Sequence, residues 1–301
     1  TSYSGTFIAT ATTTFVNLKT NYTVGSTQST VYDNISVKLA DADRSVNNNG
    51  LVVNGTITRA PVDTGSELVG YSGFSASNYL EQPYDSALDF GTADFSIMGW
   101  VKATSDGYIV ETIDAANTEG FAVFLAGTQL YFRTRNVNNS QVISASTFTT
   151  GSWTFFTATL TSAGTQHSVY VNGRLDASKI GSVSRSLGGI NTPMRVGVSN
   201  ADTSALSGSI ALLRISATAP SAEQIAKIYH DEKYLFQAGA ACTLYGTSDA
   251  VTALSHDDAT DLLHVGTSAG RSTFDGLRRV SNTTTAVDIA ISAVDNLVVE
   301  E

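Results

Sequence analysis

The chain has 301 residues, 42% of them hydrophobic and only 15% charged. That is enough apolar content for two or three modest folded cores and excludes a disordered tail. A formal charge of −10 excludes nucleic acid and anionic membrane surfaces as expected partners, since neither gains from counterion release against an acidic protein.

No apolar run reaches the length of a membrane span, so membrane insertion is not expected. The polar content is mostly Thr, Ser, Asn and Gly, as on the surfaces of secreted or particle-borne β-proteins. The single cysteine, Cys242, forms no intramolecular disulfide and reads as a buried small hydrophobe.

Apolar and polar residues alternate through nearly every structured stretch, with turns at about ten-residue spacing, so the chain is expected to be all-β. Residues 1–40 hold two strand-like runs, GTFIATATTTFVNLKTN and STVYDNISVKLA, too few to bury a core. The second run, through Tyr32, Asp33, Asn34, Ile35 and Val37, resembles the last strand of jelly-roll carbohydrate-binding modules. That resemblance implies a natural chain that begins upstream of Thr1. Residues 41–49 read as a polar linker.

The section from 50 to 238 is the richest. SALDFGTADFSIMGWVKA predicts a turn and a strand with Phe95 and Ile97 on one face and Trp100 on the other. TTGSWTFFTATLTSAGTQHSVYVNGRLDAS predicts two strands and a hairpin at Asn172-Gly173. PSAEQIAKIYHDEKYLF predicts the one helix, with Ser221 and Gln224 in capping-box spacing and Ile225, Ile228 and Tyr229 on one face. Trp100 and Trp153 are expected in the core on strand alternation. In order, Leu88-Asp89-Phe90, Trp100-Val101, Gly151-Ser-Trp153, Val169 to Gly173, Leu213-Arg214-Ile215 and Ser221 to Ile225 resemble the laminin-G-like, concanavalin A-like jelly roll. The pattern departs at Ala211-Leu212, where that family commonly has an acidic pair. The resemblance implies a β-sandwich that binds sugars or proteins through loops on one rim, often with calcium.

For catalysis on such a sandwich, two carboxylates must share one strand face. Glu111, Asp114 and Glu119 are the nearest candidates, but Glu111 and Asp114 are three apart and fall on opposite faces, so they read as solvated turn acids. A rim calcium needs several hard oxygens, and Asp106, Asp114, Asn200 and Asp202 are the metal-ligand candidates. Sugar binding needs aromatic surface and hydrogen-bonding groups. The segment RTRNVNNSQ, read as a loop, offers Arg133, Arg135, Asn136, Asn138 and Asn139, with Tyr108 near a turn as their aromatic partner. Tyr79 and Tyr84 also lie near turns.

Beyond residue 239, Gly266-Thr-Ser268-Ala-Gly270 spells the G-x-S-x-G elbow of serine hydrolases. The elbow family needs a following helix and a later histidine. His167, His230, His256 and His264 all precede Ser268, so a hairpin turn is expected instead. Strands over Ala250–Ser255, Leu262–Val265 and onward to Val280 resemble one propeller blade, and TTAVDIAISAVDNLVVEE could begin another unit. So short a sheet cannot bury both faces alone. The tail also resembles the C-terminal segments of virion structural proteins of tailed bacteriophages. The expectation is a non-enzymatic virion-surface protein: a tail fibre, spike or capsid fibre whose sandwich meets a host-surface glycan. Residues 239–301 would join copies, a trimer being favoured, alongside other virion proteins. The alternatives are the accessory carbohydrate-binding region of a secreted bacterial glycan-active enzyme and a structural spacer in a virion.

Overall fold

The computed structural model describes residues 40–41, 50–114, 116, 118–136, 138–161, 165–180, 191–241, 244, 251–284, 291–294 and 297–300. The expectations for residues 1–39, for most of the linker and for Cys242 lie outside the described residues.

Fifteen strands come first. They are β1 (Ala40–Asp41), β2 (Leu51–Asn54), β3 (Thr58–Pro61), β4 (Val69–Ser72), β5 (Tyr79–Gln82), β6 (Phe95–Ala103), β7 (Gly107–Glu111) and β8 (Glu119–Ala126). They continue with β9 (Gln129–Asn136), β10 (Asn138–Thr147), β11 (Thr154–Thr161), β12 (Gln166–Val171), β13 (Arg174–Ile180), β14 (Met194–Val196) and β15 (Gly208–Ser216). One sheet has the order β1-β2-β5-β14-β7-β8-β9-β10 and the other β13-β12-β11-β6-β15-β4-β3. The strand-to-strand pairings in both are antiparallel.

Alternation builds the core. Phe95, Ile97 and Val101 of β6 face Phe121, Val123 and Leu125 of β8 and Leu130 and Phe132 of β9 across the two sheets. Phe95 has no exposed surface and stacks on Phe90 at 4.5 Å and against Phe121 at 5.3 Å. The other face of β6 carries Met98 and Trp100, which belong to a separate cluster with Phe155 and Ile225. Trp100 is buried as expected, but outside the inter-sheet core. Trp153 is only half-buried, its indole Nε1 donating to the Val62 carbonyl at 2.9 Å.

That outer cluster exists because a helix covers it. Helix α1 (Ala222–Glu232) starts at Ser221, whose hydroxyl accepts from the Gln224 N–H while the Gln224 side chain caps Ser221 in return. It buries Ile225 against the seven-stranded sheet and leads into a 3-10 turn, Lys233–Phe236. The Asn172-Gly173 turn forms where the dipeptide predicts it, with φ of +49° and +77°, values an Asn-Gly pair adopts at little cost. It packs so closely on the helix that a Cβ at Gly173 would lie 2.9 Å from the Tyr229 Cβ. At Ala211-Leu212 the chain forms a bulge in β15, with Leu212 at φ +50°.

The tail adds β16 (Val251–Asp257), β17 (Leu262–Thr267), β18 (Gly270–Asp275) and β19 (Arg278–Thr283), an antiparallel meander, and a hairpin of β20 (Ile291–Val294) and β21 (Leu297–Glu300). The sequence reading ran one strand on to Val280; Gly276, at φ +57°, turns it into two. Ser268 and Ala269 are the two-residue turn between β17 and β18. The G-x-S-x-G match therefore joins strand to strand, and no helix follows to present Ser268 as a nucleophile. The meander is tied to the sandwich by an Arg279–Glu67 ion pair at 3.4 Å and through Gly239, whose carbonyl accepts from the Arg279 N–H while its own N–H donates to Thr64 O. Its own core is small, chiefly Ala241, Val265 and Phe274, while Leu254 stays 66% exposed and Val251 and Val280 are also exposed.

Candidate functional site

Helix α1 occupies the outer face of the seven-stranded sheet. Among the described residues no helix or sheet packs on the outer face of the eight-stranded one, and side chains of unusual chemistry gather there. Cross-strand register places them in rows. Tyr108 on β7 pairs with Phe124 on β8, which pairs with Tyr131 on β9, which pairs with Ile143 on β10. The next row runs Glu81, Arg195, Glu111, Ala122, Arg133 and Gln141 over β5, β14, β7, β8, β9 and β10.

Strict alternation would separate Tyr108 from Glu111, which are three residues apart. A register shift between Tyr108 and Val110 inserts one extra residue and brings both to the outer face, as a β-bulge does. Gly120 makes a second adjustment possible. It sits at φ +121°, and a Cβ there would lie 2.7 Å from the Ile113 Cα and from the Thr112 carbonyl oxygen, so only glycine lets the chain after β7 cross so close to β8.

The first row is a leaning stack of rings. Tyr108–Phe124 and Phe124–Tyr131 centroids are each 4.9 Å apart, with planes 19° and 21° from parallel. Rings lying flat side by side cannot approach that closely, so they overlap in the offset-stacked arrangement aromatic quadrupoles favour. Phe124 is buried in the middle and the two tyrosines are half-buried at its sides.

The second row is held by charge. Arg195 pairs with Glu81 at 3.3 Å and with Asp202, and lies over the Tyr79 ring at 4.5 Å. Arg133 donates from Nε to Gln141 Oε1 at 3.2 Å and sits 4.6 Å from the Phe124 centroid. Glu111, expected in a solvated turn, is instead on β7 and only 5% exposed. The loop after β14 runs beside β7 and brings the Asn200 N–H to Glu111 Oε2 at 2.6 Å. Burial pushes the Glu111 carboxyl up from its ordinary value near 4.5; the Asn200 N–H and the charges of Arg133, Arg135 and Arg195 oppose that shift without cancelling it. Burial likewise pushes the Tyr108 phenol up, aided by Glu111 and opposed by Arg133 and Arg135.

A carboxyl whose folded pKa is raised binds its proton more tightly in the native state. The associated stability is therefore full below the unfolded value near 4.5 and is lost as pH rises through the folded value. Glu111→Gln keeps an acceptor for the Asn200 N–H and removes the buried charge. Denaturant unfolding is expected to show it at least as stable as the parent at pH 7, with a flatter stability profile above pH 4.5. A parent-like slope would show that Glu111 does not titrate with folding.

Of the residues singled out for sugar contact, Tyr108, Arg133 and Arg135 come together on this face. RTRNVNNSQ is not a loop but two paired strands with Val137 between them. Asparagine, read as a turn former, is carried here by long β-branched and aromatic strands on either side. Register puts Asn139 opposite Arg135, in the outer alternation, and Asn138 opposite Asn136, in the other. The side chains of all three asparagines lie outside the described residues. Sequence reasoning missed Phe124, Tyr131, Gln141 and Arg195. Tyr131, two residues before Arg133 and four before Arg135, shares their strand alternation, which is the signal for one of them.

The four metal-ligand candidates are not brought to one place. Asp106 and Asp114 lie beyond opposite ends of β7, separated by about 17 Å of strand. Asp106 accepts from the Gly127 and Thr128 N–H groups, and Asp114 from Thr118 and the Glu119 N–H. Asp202 is paired with Arg195. Asn200 Nδ2 donates to the Ile113 carbonyl at 2.9 Å, and its Oδ1 is buried with no hydrogen-bond partner among the described residues. The set as arranged fits turn and strand capping, not a single calcium cage. Among the described residues no three His, Cys, Asp or Glu side chains gather around one point. Near Asp106 a small hollow lined by Ala103, Leu125 and Phe148 is mostly apolar. No described helix is long and apolar enough to cross a membrane.

Solved structures share this fold. The binding domain of Paraclostridial mosquitocidal protein 1 superposes with a TM-score of 0.55 at 13% identity over 77% of this chain and 61% of its own. The receptor binding domain of botulinum neurotoxin C/D mosaic serotype gives 0.53 at 12% identity, over 80% of this chain and 61% of that one. Domain 4 of AbnA, an extracellular GH43 arabinanase from Geobacillus stearothermophilus, in complex with arabinotriose, gives 0.50 at 18% identity, over 63% of this chain and 93% of that domain. The chain thus spans about three-fifths of the toxin binding domains it resembles. No curated protein matches it in sequence. Residues 74–226, just over half of the chain, match the family model of the concanavalin A-like lectin/glucanases superfamily. With that match and the two-sheet sandwich that carries it, the chain belongs to the concanavalin A-like lectin/glucanase superfamily.

Proposed function

We propose that this protein is a non-enzymatic, extracellular attachment protein whose eight-stranded sheet presents its outer face to a host-surface glycan. The observation that carries the reading is this face, which no described helix or sheet covers and where a close-packed ring stack is bordered by Arg133, Arg135 and Gln141. Shallow sugar sites need such rigid apolar surface flanked by fixed hydrogen-bonding groups. The carboxylates of this region are already engaged: Glu111 is buried on a backbone N–H, Glu81 pairs with Arg195, and Asp114 caps a turn. The toxin structures that share the fold are named as binding domains.

In this reading the protein belongs to a virion surface, as a tail fibre, spike or capsid fibre. Residues 50–238 bind, and 239–301 join copies, three being favoured, and meet other virion proteins. The exposed Leu254, Val251 and Val280 on the tail meander support association, because a sheet this short gains by covering them. A second reading, the accessory carbohydrate-binding region of a glycan-active enzyme, is favoured by the likeness to AbnA domain 4, whose name places arabinotriose on it.

A glycan array and sedimentation of the intact chain test both. The expected result is retention on immobilised glycans by a trimer, with binding lost in Tyr108→Ala/Tyr131→Ala. Absence of glycan retention would overturn the attachment reading, and a monomer would overturn the fibre. Repeating the array with a chelator tests the calcium expectation, which unchanged binding removes.

A further inference from the structure

The arginines of the open face differ in how their charge is met. Arg195 has Glu81 and Asp202 as counter-ions. Arg133 has none: among the described residues it makes no ion pair, its Nε donating to the neutral amide of Gln141 and its Cζ lying over Phe124. These contacts fix the plane of the guanidinium while leaving N–H donors unspent, and the group is half-buried. A guanidinium positioned this way, partly removed from water and unmatched by a carboxylate, is a preformed receptor for a planar anion. Glu111 lies in the same row beyond Ala122, but its carboxyl is buried against the Asn200 N–H.

Building on the glycan-attachment reading, we propose that this face selects an acidic saccharide, with Arg133 as the specificity-determining residue that pairs with the sugar carboxylate. The stacked rings supply contact for the sugar body, and Arg133 supplies discrimination between a carboxylate and its neutral counterpart. The overall charge of −10 opposes an acidic ligand at long range, so its gain rests on the local arginines Arg133 and Arg135.

The test is an array of uronate and sialate saccharides beside their methyl esters, sulfated saccharides and neutral saccharides, probed with the full chain. Carboxylate glycans are expected to bind about tenfold or more tightly than their methyl esters, the difference a charge-assisted bidentate pair makes. Arg133→Gln is expected to erase that difference, and Arg133→Lys, which keeps charge but not the fork, to retain only part of it. Melting curves of both variants verify folding, and Arg133→Lys carries the test if Arg133→Gln unfolds. Retained glycans that are neutral, or esters that bind as well as acids, would overturn the acidic preference and leave the attachment reading standing. Sulfated glycans that bind at least as tightly as uronates would overturn the carboxylate assignment. No binding to any glycan would overturn both.

Discussion

Trp100→Ala is expected to destabilise the sandwich by about 3–5 kcal/mol, the range for deleting a large buried aromatic side chain. Trp100 is 3% exposed and lies at the centre of the outer cluster, 4.2 Å from Phe236, 5.3 Å from Phe155 and 5.7 Å from Tyr229 between ring centroids. Its indole Nε1 donates to Glu232 at 2.9 Å. The alanine variant therefore empties the space between sheet and helix and removes a donor from Glu232, which retains Arg214 at 2.7 Å. Chemical denaturation should show the midpoint fall with the slope unchanged. A loss below about 1 kcal/mol would mean that the helix is held to the sheet by other contacts. Glycan retention should persist in the folded fraction, since Trp100 lies on the sheet opposite the open face.

Phe124→Ala should strike both stability and attachment. The ring is 7% exposed and is the middle member of the stack, so its loss costs about 3 kcal/mol and frees Tyr108, Tyr131 and Arg133 from a shared support. Affinity for retained glycans is expected to fall more than about tenfold, since the contact groups lose their fixed positions. Phe124→Leu separates the two effects. It keeps most of the buried apolar volume and removes the stacking, so it should remain folded yet bind weakly. A leucine variant that binds like the parent would show that the rings act only as core.

Much of the fold could be read residue by residue. Phe95 and Ile97 alternate against Met98 and Trp100, Asn172-Gly173 turns where its φ preferences demand, and Ser221 with Gln224 starts the helix. These features depend on neighbours a few positions away, and short-range patterns record them. The candidate site was legible only in part. Tyr108 and the arginines stood out as residue types, but RTRNVNN looked like a loop because asparagine is frequent in turns. Phe124 was hidden in the apolar run Phe121–Leu125, in which every residue is buried and no outward face can be distinguished. Glu111 was misplaced for a different reason: it is buried against the Asn200 N–H, 89 residues away, and no local string records that contact.

The amino-acid sequence alone determined the class of the chain: strand periodicity, turn chemistry and the helix cap are local free energies, each decided within a few residues. Tertiary structure alone decided which sheet face is covered by α1 and which stays open, and it aligned residues as distant as Glu81, Arg195, Glu111 and Arg133 into one row. Cross-strand register and a single inserted residue in β7 set that alignment, and both follow from how whole strands pack against the core.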